Sequence, residues 1–146
     1  MSMKLHKAEK NIIGSKEYIS FPELGKQNII ARIDTGAKTS SMHCERVWVQ
    51  RINNKNVLCA TLIRKHSEIT TFSKFSLKEV KSSNGHTQIR YFINMLVQFG
   101  NDVFETEFTL TNRDKMNNPV LLGRKFLKNK FLVDVSKKFK HTRKIH

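Results

Sequence analysis

Apolar and polar residues alternate along most of the chain, and β-branched and aromatic residues are concentrated in the alternating segments. A period of two is typical of strands with one buried face. The pattern predicts strands at residues 18–21, 28–33, 46–52, 57–64, 69–80, 87–99, 103–111 and 131–134. In the sixth of these, one predicted core face carries Ile93, Met95, Val97 and Phe99.

Short runs of turn residues separate the predicted strands. Residues 53–56 and 100–102 contain Asn, Asp and Gly, and residues 84–85 are Asn-Gly, which is the strongest short signal for a β-hairpin. Only residues 124–128, which follow Gly123, suggest a helix. The pattern therefore predicts a small, mostly β barrel or sandwich.

The length of 146 residues predicts one domain, which we place at residues 11–139. Residues 1–10 are expected to be a flexible N-terminus and residues 140–146 a basic tail, and the lack of pattern at both ends predicts disorder. The chain shows no secretory signal and no run of roughly 18 apolar residues. Two cysteines form no disulfide framework, so we expect a cytoplasmic protein with no membrane partner.

The formal net charge of +15 predicts attraction to acidic partners, such as RNA, an acidic protein or a membrane surface. A solubilising surface with a basic tail explains the charge equally well. Nucleic-acid binding would also need aromatic platforms, and Trp48, Tyr91 and Phe92 suit that role no better than they suit the core. Charge alone therefore does not select the partner.

The chain has one acidic tripeptide with catalytic character, Asp34-Thr35-Gly36, at the end of an apolar strand. Such a tripeptide is often only a turn, in which the Asp accepts backbone hydrogen bonds. Aspartic proteases use the same arrangement to hold the carboxylates that activate water, and these enzymes need two carboxylates. Because the chain offers only one such tripeptide, a second copy of the chain would have to supply the other.

Four runs of the sequence resemble those of one bacterial family and occur in the same order. They are ARIDTGAKTSSMH at residues 31–43, FTLTNRDKM at 108–116, PVLLGR at 119–124 and FLVDVS at 131–136. A second order of features resembles that of the retropepsins, which are single-domain aspartic proteases: Asp-Thr-Gly-Ala, an Asn-Gly hairpin, two long alternating strands, and a Val-Leu-Leu-Gly-Arg turn into a helix. The bacterial family contains retropepsin-like proteins often labelled ATP-dependent zinc proteases and associated with the RimK ribosomal-protein glutamate ligase system. The resemblance implies an all-β, retropepsin-like closed barrel with one short C-terminal helix.

The resemblance also implies catalytic roles. Asp34 from each of two subunits would share one proton and activate a water molecule for attack on a peptide bond. Thr35 would join the two loops through its hydroxyl and backbone, and Gly36 would permit the tight turn. The implied assembly is a homodimer that acts on a peptide or protein substrate.

The same resemblance implies supporting and substrate-binding residues. Ala37 would keep space for the substrate backbone, and the hairpin tip at Ser83, Asn84 and Gly85 would be a flap over the substrate, although an ordinary β-turn explains this tip as well. The catalytic loop would be supported by Leu122, Gly123 and Arg124.

Two features depart from the viral retropepsins. Those enzymes carry an acidic residue shortly after the catalytic tripeptide, and it pairs with the arginine of the Gly-Arg motif. Here Lys38 and Thr39 follow instead, so Arg124 lacks that local acidic partner. In addition, residues 46–80 hold an extra hairpin that could cap the cleft, form a dimer interface or bind a partner.

The sequence gives little support for a metal or another cofactor. There is no His-Glu-x-x-His motif for a metalloprotease and no Gly-rich phosphate loop for ATP. The spacing fits no zinc finger for the possible ligands, which are His43, Cys44, Cys59, His66 and His86. We expect no metal and no cofactor.

A serine or cysteine nucleophile is a further enzymatic alternative. Ser40, Ser41 and Cys44 follow the acidic tripeptide, but nothing in the sequence places a His-acid pair beside them. We therefore interpret them as structural residues.

Three functional hypotheses follow. The first is a homodimeric aspartic endopeptidase that acts on peptides or on a ribosome-associated tail. The second is a catalytically silent binding module for RNA or for an acidic protein linked to the ribosome-modification system. The third is a structural partner of a ligase. The intact Asp34-Thr35-Gly36 favours the first hypothesis, because a binding module needs no such acid.

Overall fold

The computed structural model describes residues 10–64, 66–81 and 84–146, and strands account for most of them. The predicted flexible N-terminus falls almost entirely on residues 1–9, which lie outside the described residues. The same holds for Ser83 and its neighbour Ser82 at the hairpin tip. Among the described residues, no helix has the length and apolar character needed to cross a membrane.

The described part of the chain contains eleven strands and one short α-helix. In chain order the strands are β1 (Asn11–Ile13), β2 (Lys16–Phe21), β3 (Lys26–Ile33), β4 (Ser40–Ile52), β5 (Lys55–Leu62), β6 (Ile69–Phe72), β7 (Ser76–Lys81), β8 (Thr87–Phe99), β9 (Asp102–Thr111), β10 (Val120–Leu122) and β11 (Phe131–Val133). Helix α1 (Arg124–Leu127) lies between β10 and β11.

Six strands form a closed ring of hydrogen-bonded pairs. The order is β10-β3-β2-β8-β9-β4, and β10 closes the ring because it pairs parallel with β3 and antiparallel with β4. Strand β7 pairs with β8, β5 and β6 extend the sheet outward from β4, and β1 pairs separately with β11. The predicted all-β closed barrel with one short C-terminal helix is confirmed.

The core lies inside this ring and follows the alternation seen in the sequence. The side chains of Ile93, Met95, Val97 and Phe99 are all at most 2% exposed, whereas Leu96, between them, is 38% exposed. Burial of such a side chain contributes about 1.5–3 kcal/mol to folding, so this face of β8 is a major source of stability. The predicted core face is confirmed.

Two predicted strand boundaries are wrong. Residues 69–80 do not form one strand, because β6 pairs with β5 whereas β7 pairs with β8, and the chain must turn between the two partners. Strand β4 begins six residues before the predicted start at residue 46. Its first residues are polar but buried, and their side chains hydrogen-bond within the fold rather than to solvent.

The C-terminal segment is anchored to the barrel, so the predicted disorder of residues 140–146 is wrong. The buried carboxylate of Glu17 on β2 accepts hydrogen bonds from the backbone N–H groups of Lys140, His141 and Thr142. Further along, Asn28 exchanges two hydrogen bonds with the backbone of Ile145, both of 2.7 Å. These contacts depend on tertiary structure and leave no periodic trace in the sequence.

Candidate active site

Asp34 lies at one end of the barrel, directly after β3. The loop of residues 34–39 joins β3 to β4, and β10 runs between these two strands. The backbone N–H of Asp34 donates to the carbonyl oxygen of Leu122 on β10, at 2.9 Å. The start of the loop is thus held by a buried strand, and the position of the acid is fixed by the sheet.

The Asp34 carboxylate is half-buried, and one of its two oxygens accepts a hydrogen bond from the described residues. Its Oδ1 accepts a hydrogen bond from the Gly36 N–H at 2.8 Å, and its backbone carbonyl accepts one from the Ala37 N–H at 3.3 Å. Its Oδ2 accepts no hydrogen bond from any described residue and is not sealed from solvent. The loop therefore has the geometry of a turn in which the Asp side chain accepts a backbone hydrogen bond. It nevertheless leaves one carboxylate oxygen available.

Gly123 supports the loop through very close contact. A Cβ atom at this position would lie 2.8 Å from the Ala37 carbonyl oxygen and 3.0 Å from that of Thr39. The Gly123 N–H donates to the buried Ser40 Oγ at 3.1 Å. Only glycine fits, because both contacts of its would-be side chain are with backbone atoms that have little freedom to move.

Arg124 holds the loop without an acidic partner among the described residues. Its backbone N–H donates to the Ala37 carbonyl at 2.8 Å, and its Nη1 donates to the Thr35 carbonyl at 3.1 Å. Thr35 itself is exposed. Two neutral carbonyl groups thus replace the carboxylate of the viral enzymes, and Leu122, Gly123 and Arg124 all contact the loop directly.

A cleft of about 650 Å³ lies beside the loop. Gly36, Ala37 and Thr39 line one side and β7 and β8 contribute the other, while Asp34 itself is not part of the lining. Among the described residues the lining has a single acid, Glu79, and it is rich in cations: Lys38, Lys78, Lys81, Arg90, Arg113 and Lys125. Nearby Glu107 offsets part of this charge, with Oε1 3.2 Å from Lys125 Nζ and Oε2 3.8 Å from Lys78 Nζ.

The β7–β8 hairpin faces the loop across this cleft, but through its strands rather than its tip. Asn84 and Gly85 are exposed and are not part of the cleft lining, and Gly85 has a φ of +84°, as an Asn-Gly turn requires. Ser83 lies outside the described residues. A flap role for the tip stays a prediction, while Lys78 and Lys81 on β7 are cleft residues that the sequence reasoning missed.

The most important missed residue is Arg113, which follows β9 and is 8% exposed. Its Nη1 donates to Ser41 Oγ at 3.0 Å, and its backbone N–H donates to His43 Nδ1 at 2.8 Å. His43 Nε2 lies 3.1 Å from Asp114 Oδ1, but not in hydrogen-bond alignment. These residues occur in two of the runs that carry the family resemblance, so a signal was present, but only the fold brings the runs together.

The alternative nucleophiles near the loop are engaged or chemically unsuitable. Ser40 Oγ and Ser41 Oγ accept hydrogen bonds from Gly123 and Arg113, respectively. Burial raises the pKa of the Cys44 thiol to about 11, so the thiol is protonated at neutral pH and is a poor nucleophile. Within the described ranges, no three His, Cys, Asp or Glu side chains gather where they could hold a metal ion.

Comparisons with known proteins place this geometry in context. A family model described as RimB-like, "Retropepsin-like aspartic endopeptidase RimB", matches residues 12–144. A protein of Shewanella pealeana named probable alpha-L-glutamate ligase is 39% identical over 143 residues, covering 89% of this chain and 30% of the relative. A Desulfotalea psychrophila protein of the same name is 33% identical over 135 residues, covering 86% of this chain and 28% of the relative. The chain thus spans less than a third of the length of these relatives.

A solved structure supports the fold. The crystal structure of a Legionella pneumophila protein of unknown function (DUF785) aligns with a TM-score of 0.73 and 24% identity. The alignment covers 91% of this chain and 99% of the Legionella chain. At this identity the likeness concerns the fold alone.

Proposed function

The chain belongs to the RimB-like family of retropepsin-like aspartic endopeptidases, and on this premise we propose that it hydrolyses peptide bonds as a homodimer. The observation that carries the proposal is the state of Asp34. Its backbone is fixed at the barrel end by β10, yet the carboxylate Oδ2 has no partner among the described residues and is not sealed from solvent. A carboxylate that served only to close a turn would not need this support from a second strand.

The proposed reaction needs two copies of Asp34. Two carboxylates in contact share one proton, because both cannot be ionised side by side. The ionised Asp34 accepts a proton from a water molecule that attacks the scissile carbonyl carbon, and the protonated Asp34 donates to the carbonyl oxygen. Collapse of the tetrahedral intermediate then transfers a proton to the leaving amine.

An exposed apolar groove beside Thr35 supports the second copy. The groove has a volume of about 560 Å³ and lies between Thr35, α1 and β11. Leu132 on β11 is 54% exposed and pairs in register with Ile12 on β1, which is 48% exposed. Exposed apolar surface of this kind is typical of an interface, and here it adjoins the loop that must meet its copy.

The charge of the cleft supports an acidic peptide as the substrate. Of the residues that the structure describes, six cationic side chains and one acidic side chain line the cleft, so a peptide rich in carboxylates would be attracted and held. The relatives named probable alpha-L-glutamate ligase contain a similar segment within a longer chain, which supports a link to a glutamate-adding enzyme and to its acidic product. We place the protein in the cytoplasm, where its two free cysteines would stay reduced.

Peptide cleavage by the wild type and by Asp34→Asn tests the proposal. A peptide library that includes acidic sequences is incubated with each protein between pH 3 and 8, and the products are read by mass spectrometry. We expect cleavage by the wild type only. Cleavage by Asp34→Asn at the wild-type rate would contradict the proposal.

The dimer has its own test, with a matched control. Leu132→Asp introduces a charge into the apolar groove, and Ile69→Asp does the same at an equally exposed residue, 56%, on the far strand β6. We expect Leu132→Asp to weaken the dimer in sedimentation equilibrium and to lower cleavage, and Ile69→Asp to leave both unchanged. Full cleavage by a strict monomer would rule out the shared site.

A second candidate function is binding without cleavage, favoured by the same cationic cleft. In that case the wild type would bind acidic peptides or RNA with an affinity that falls steeply with salt, and no product would appear. Titration with acidic peptide and with RNA at two salt concentrations separates these ligands from each other.

A further inference from the structure

Arg113 is a buried cation whose guanidinium is held in one orientation. Its Nε donates to the carbonyl oxygen of Asn118 at 3.1 Å, and its Nη1 donates to Ser41 Oγ at 3.0 Å. Its backbone is fixed by the hydrogen bond to His43 Nδ1. Because the guanidinium is planar, two bonds to different groups fix the direction of the remaining N–H donors.

This buried charge has no carboxylate partner among the described residues. Ser41 Oγ and the Asn118 carbonyl are neutral, and none of the ion pairs in the described part of the chain includes Arg113. A buried charge is normally paired, because an uncompensated one is costly to remove from water. The arrangement therefore leaves the guanidinium in need of an anion.

Nη2 is the guanidinium nitrogen of Arg113 that is left for a ligand. It makes no hydrogen bond with the described residues, and it is not among the atoms sealed from solvent. Arg113 contributes to the lining of the cleft, together with Ser41 and the loop residues Gly36 and Ala37, and it also lines two smaller cavities of about 210 and 200 Å³. The cleft lysines are point charges on flexible stems, whereas Arg113 offers fixed donors.

Arg113 also lies within electrostatic range of the acid on which the proposed reaction depends. Burial lowers the pKa of the Arg113 guanidinium, and the nearby cations Arg32 and Arg90 lower it further, whereas Asp34 opposes this effect. An anion bound to Arg113 would thus lie within electrostatic range of Asp34.

We propose that Arg113 is a specificity-determining residue whose guanidinium binds the side-chain carboxylate of an acidic residue next to the scissile peptide bond. The inference rests on the proposed endopeptidase function and adds the residue that recognises an acidic side chain of the substrate. A charge-assisted hydrogen bond from a fixed guanidinium discriminates a carboxylate from an amide of the same shape, because only the carboxylate carries charge and accepts at both oxygens.

Matched peptides test this assignment. In each pair, one residue near the cleaved bond is Glu in one peptide and Gln in the other, and kcat/KM is measured for both. We expect the wild type to prefer Glu, and Arg113→Gln to lose roughly 10- to 100-fold on the Glu peptide but no more than about threefold on the Gln peptide. Arg113→Lys keeps the positive charge but lacks the planar N–H donors of the guanidinium. This variant should retain part of the preference for Glu over Gln.

The control variant is Arg32→Gln, which removes a nearby exposed charge outside the cleft lining. It should leave the Glu-to-Gln ratio unchanged within about twofold. If Arg113→Gln does not fold, Arg113→Lys and Ser41→Ala are used for the test instead. Arg113→Lys removes the planar donors, Ser41→Ala removes one of the hydrogen bonds that orient them, and both variants keep the positive charge. Equal losses on both peptides by folded variants, or a wild type without preference, would overturn the assignment.

A binding measurement separates this inference from the endopeptidase proposal. Calorimetric titration of Asp34→Asn with the same peptides needs no cleavage, and Arg113→Gln in that background should abolish the preference for Glu. If the wild type cleaves nothing while this binding preference is present, the endopeptidase proposal fails and the role of Arg113 in recognising carboxylates stands. If the wild type cleaves but neither cleavage nor binding distinguishes Glu from Gln, the role of Arg113 fails and the endopeptidase proposal stands.

Discussion

Asp34 directly follows β3, and Glu17 lies on β2, which pairs with β3, yet their two carboxylates have opposite surroundings. Asp34 is half-buried and accepts one hydrogen bond, from its own loop. Glu17 is fully buried and accepts hydrogen bonds from five groups. Four of these are the N–H groups of Gly14, Lys140, His141 and Thr142, and the fifth is the Thr142 hydroxyl.

The difference shows how one barrel uses the same functional group for two purposes. The lone pairs of Glu17 are saturated, so its carboxylate joins the N-terminal strand region to the C-terminal segment and is closed to other reactants. Asp34 is held through its backbone, which leaves a carboxylate oxygen free to bind a ligand or a proton. In this barrel, therefore, the hydrogen bonds of the Glu17 carboxylate hold the structure together, whereas Asp34 is positioned mainly through its main chain.

The largest effect should follow from Asp34→Asn. We expect a loss of roughly 10³-fold or more in kcat for peptide cleavage, because general acid–base catalysis by the carboxylate is removed. The free energy of unfolding should change by less than about 1 kcal/mol, since the hydrogen bond that the side chain accepts from the described residues is local. Steady-state kinetics and chemical denaturation measure the two quantities.

Subunit mixing then checks whether the reactive carboxylate is shared. When equal amounts of wild type and Asp34→Asn exchange subunits, only about a quarter of the dimers carry two aspartates, whereas independent sites would retain about half of the activity. Activity near half that of the undiluted wild type would contradict a shared dyad.

The opposite behaviour is expected for Glu17→Ala, which should destabilise the protein by about 4 kcal/mol, because five donors lose a buried charged acceptor. Glu23→Ala is the matched control, since Glu23 is exposed and its Oε1 accepts one hydrogen bond, from the Leu96 N–H. It should cost no more than about 1 kcal/mol. Urea denaturation followed by Trp48 fluorescence gives both values, and equal costs would remove the contrast between the two kinds of carboxylate.

Gly123→Ala tests whether the position of Asp34 depends on main-chain packing. The added Cβ would press on the carbonyls of Ala37 and Thr39, and we expect a destabilisation of about 2–3 kcal/mol with loss of cleavage. Gly25→Ala is the control, because Gly25 has open space around it and only a positive φ to maintain, at a cost of about 1 kcal/mol. If both variants kept full activity and lost the same stability, close packing under the loop would not matter.

The smallest effect concerns Cys44, which is near the loop in sequence but closed to chemistry. Because burial raises its pKa to about 11, its thiol is neutral at pH 8 and should not react with a disulfide reagent in the native protein. Complete denaturation should release both thiols, Cys44 and Cys59. Rapid labelling of Cys44 in the native state would show that this end of the barrel is more open than the structure has it.

Local patterns in the sequence determined much of this protein. Alternation located most of the strands and the core face of β8, the Asn-Gly pair located the β7–β8 turn, and Gly123 marked the start of α1. These features depend on residues close in the chain, so periodicity and turn chemistry are sufficient to predict them. Asp34 was found for the same reason, since a strand followed by an acidic turn is a local pattern.

The tertiary structure alone decided what surrounds Asp34. The passage of β10 between β3 and β4, the separation of β6 from β7, and the anchoring of the C-terminal segment by Glu17 all depend on contacts between distant residues. No local pattern in the sequence indicates that Arg113 is buried, and only packing against β4 buries it beside the cleft. Nonlocal pairing and burial leave no periodic signal, because they arise from the closure of the barrel.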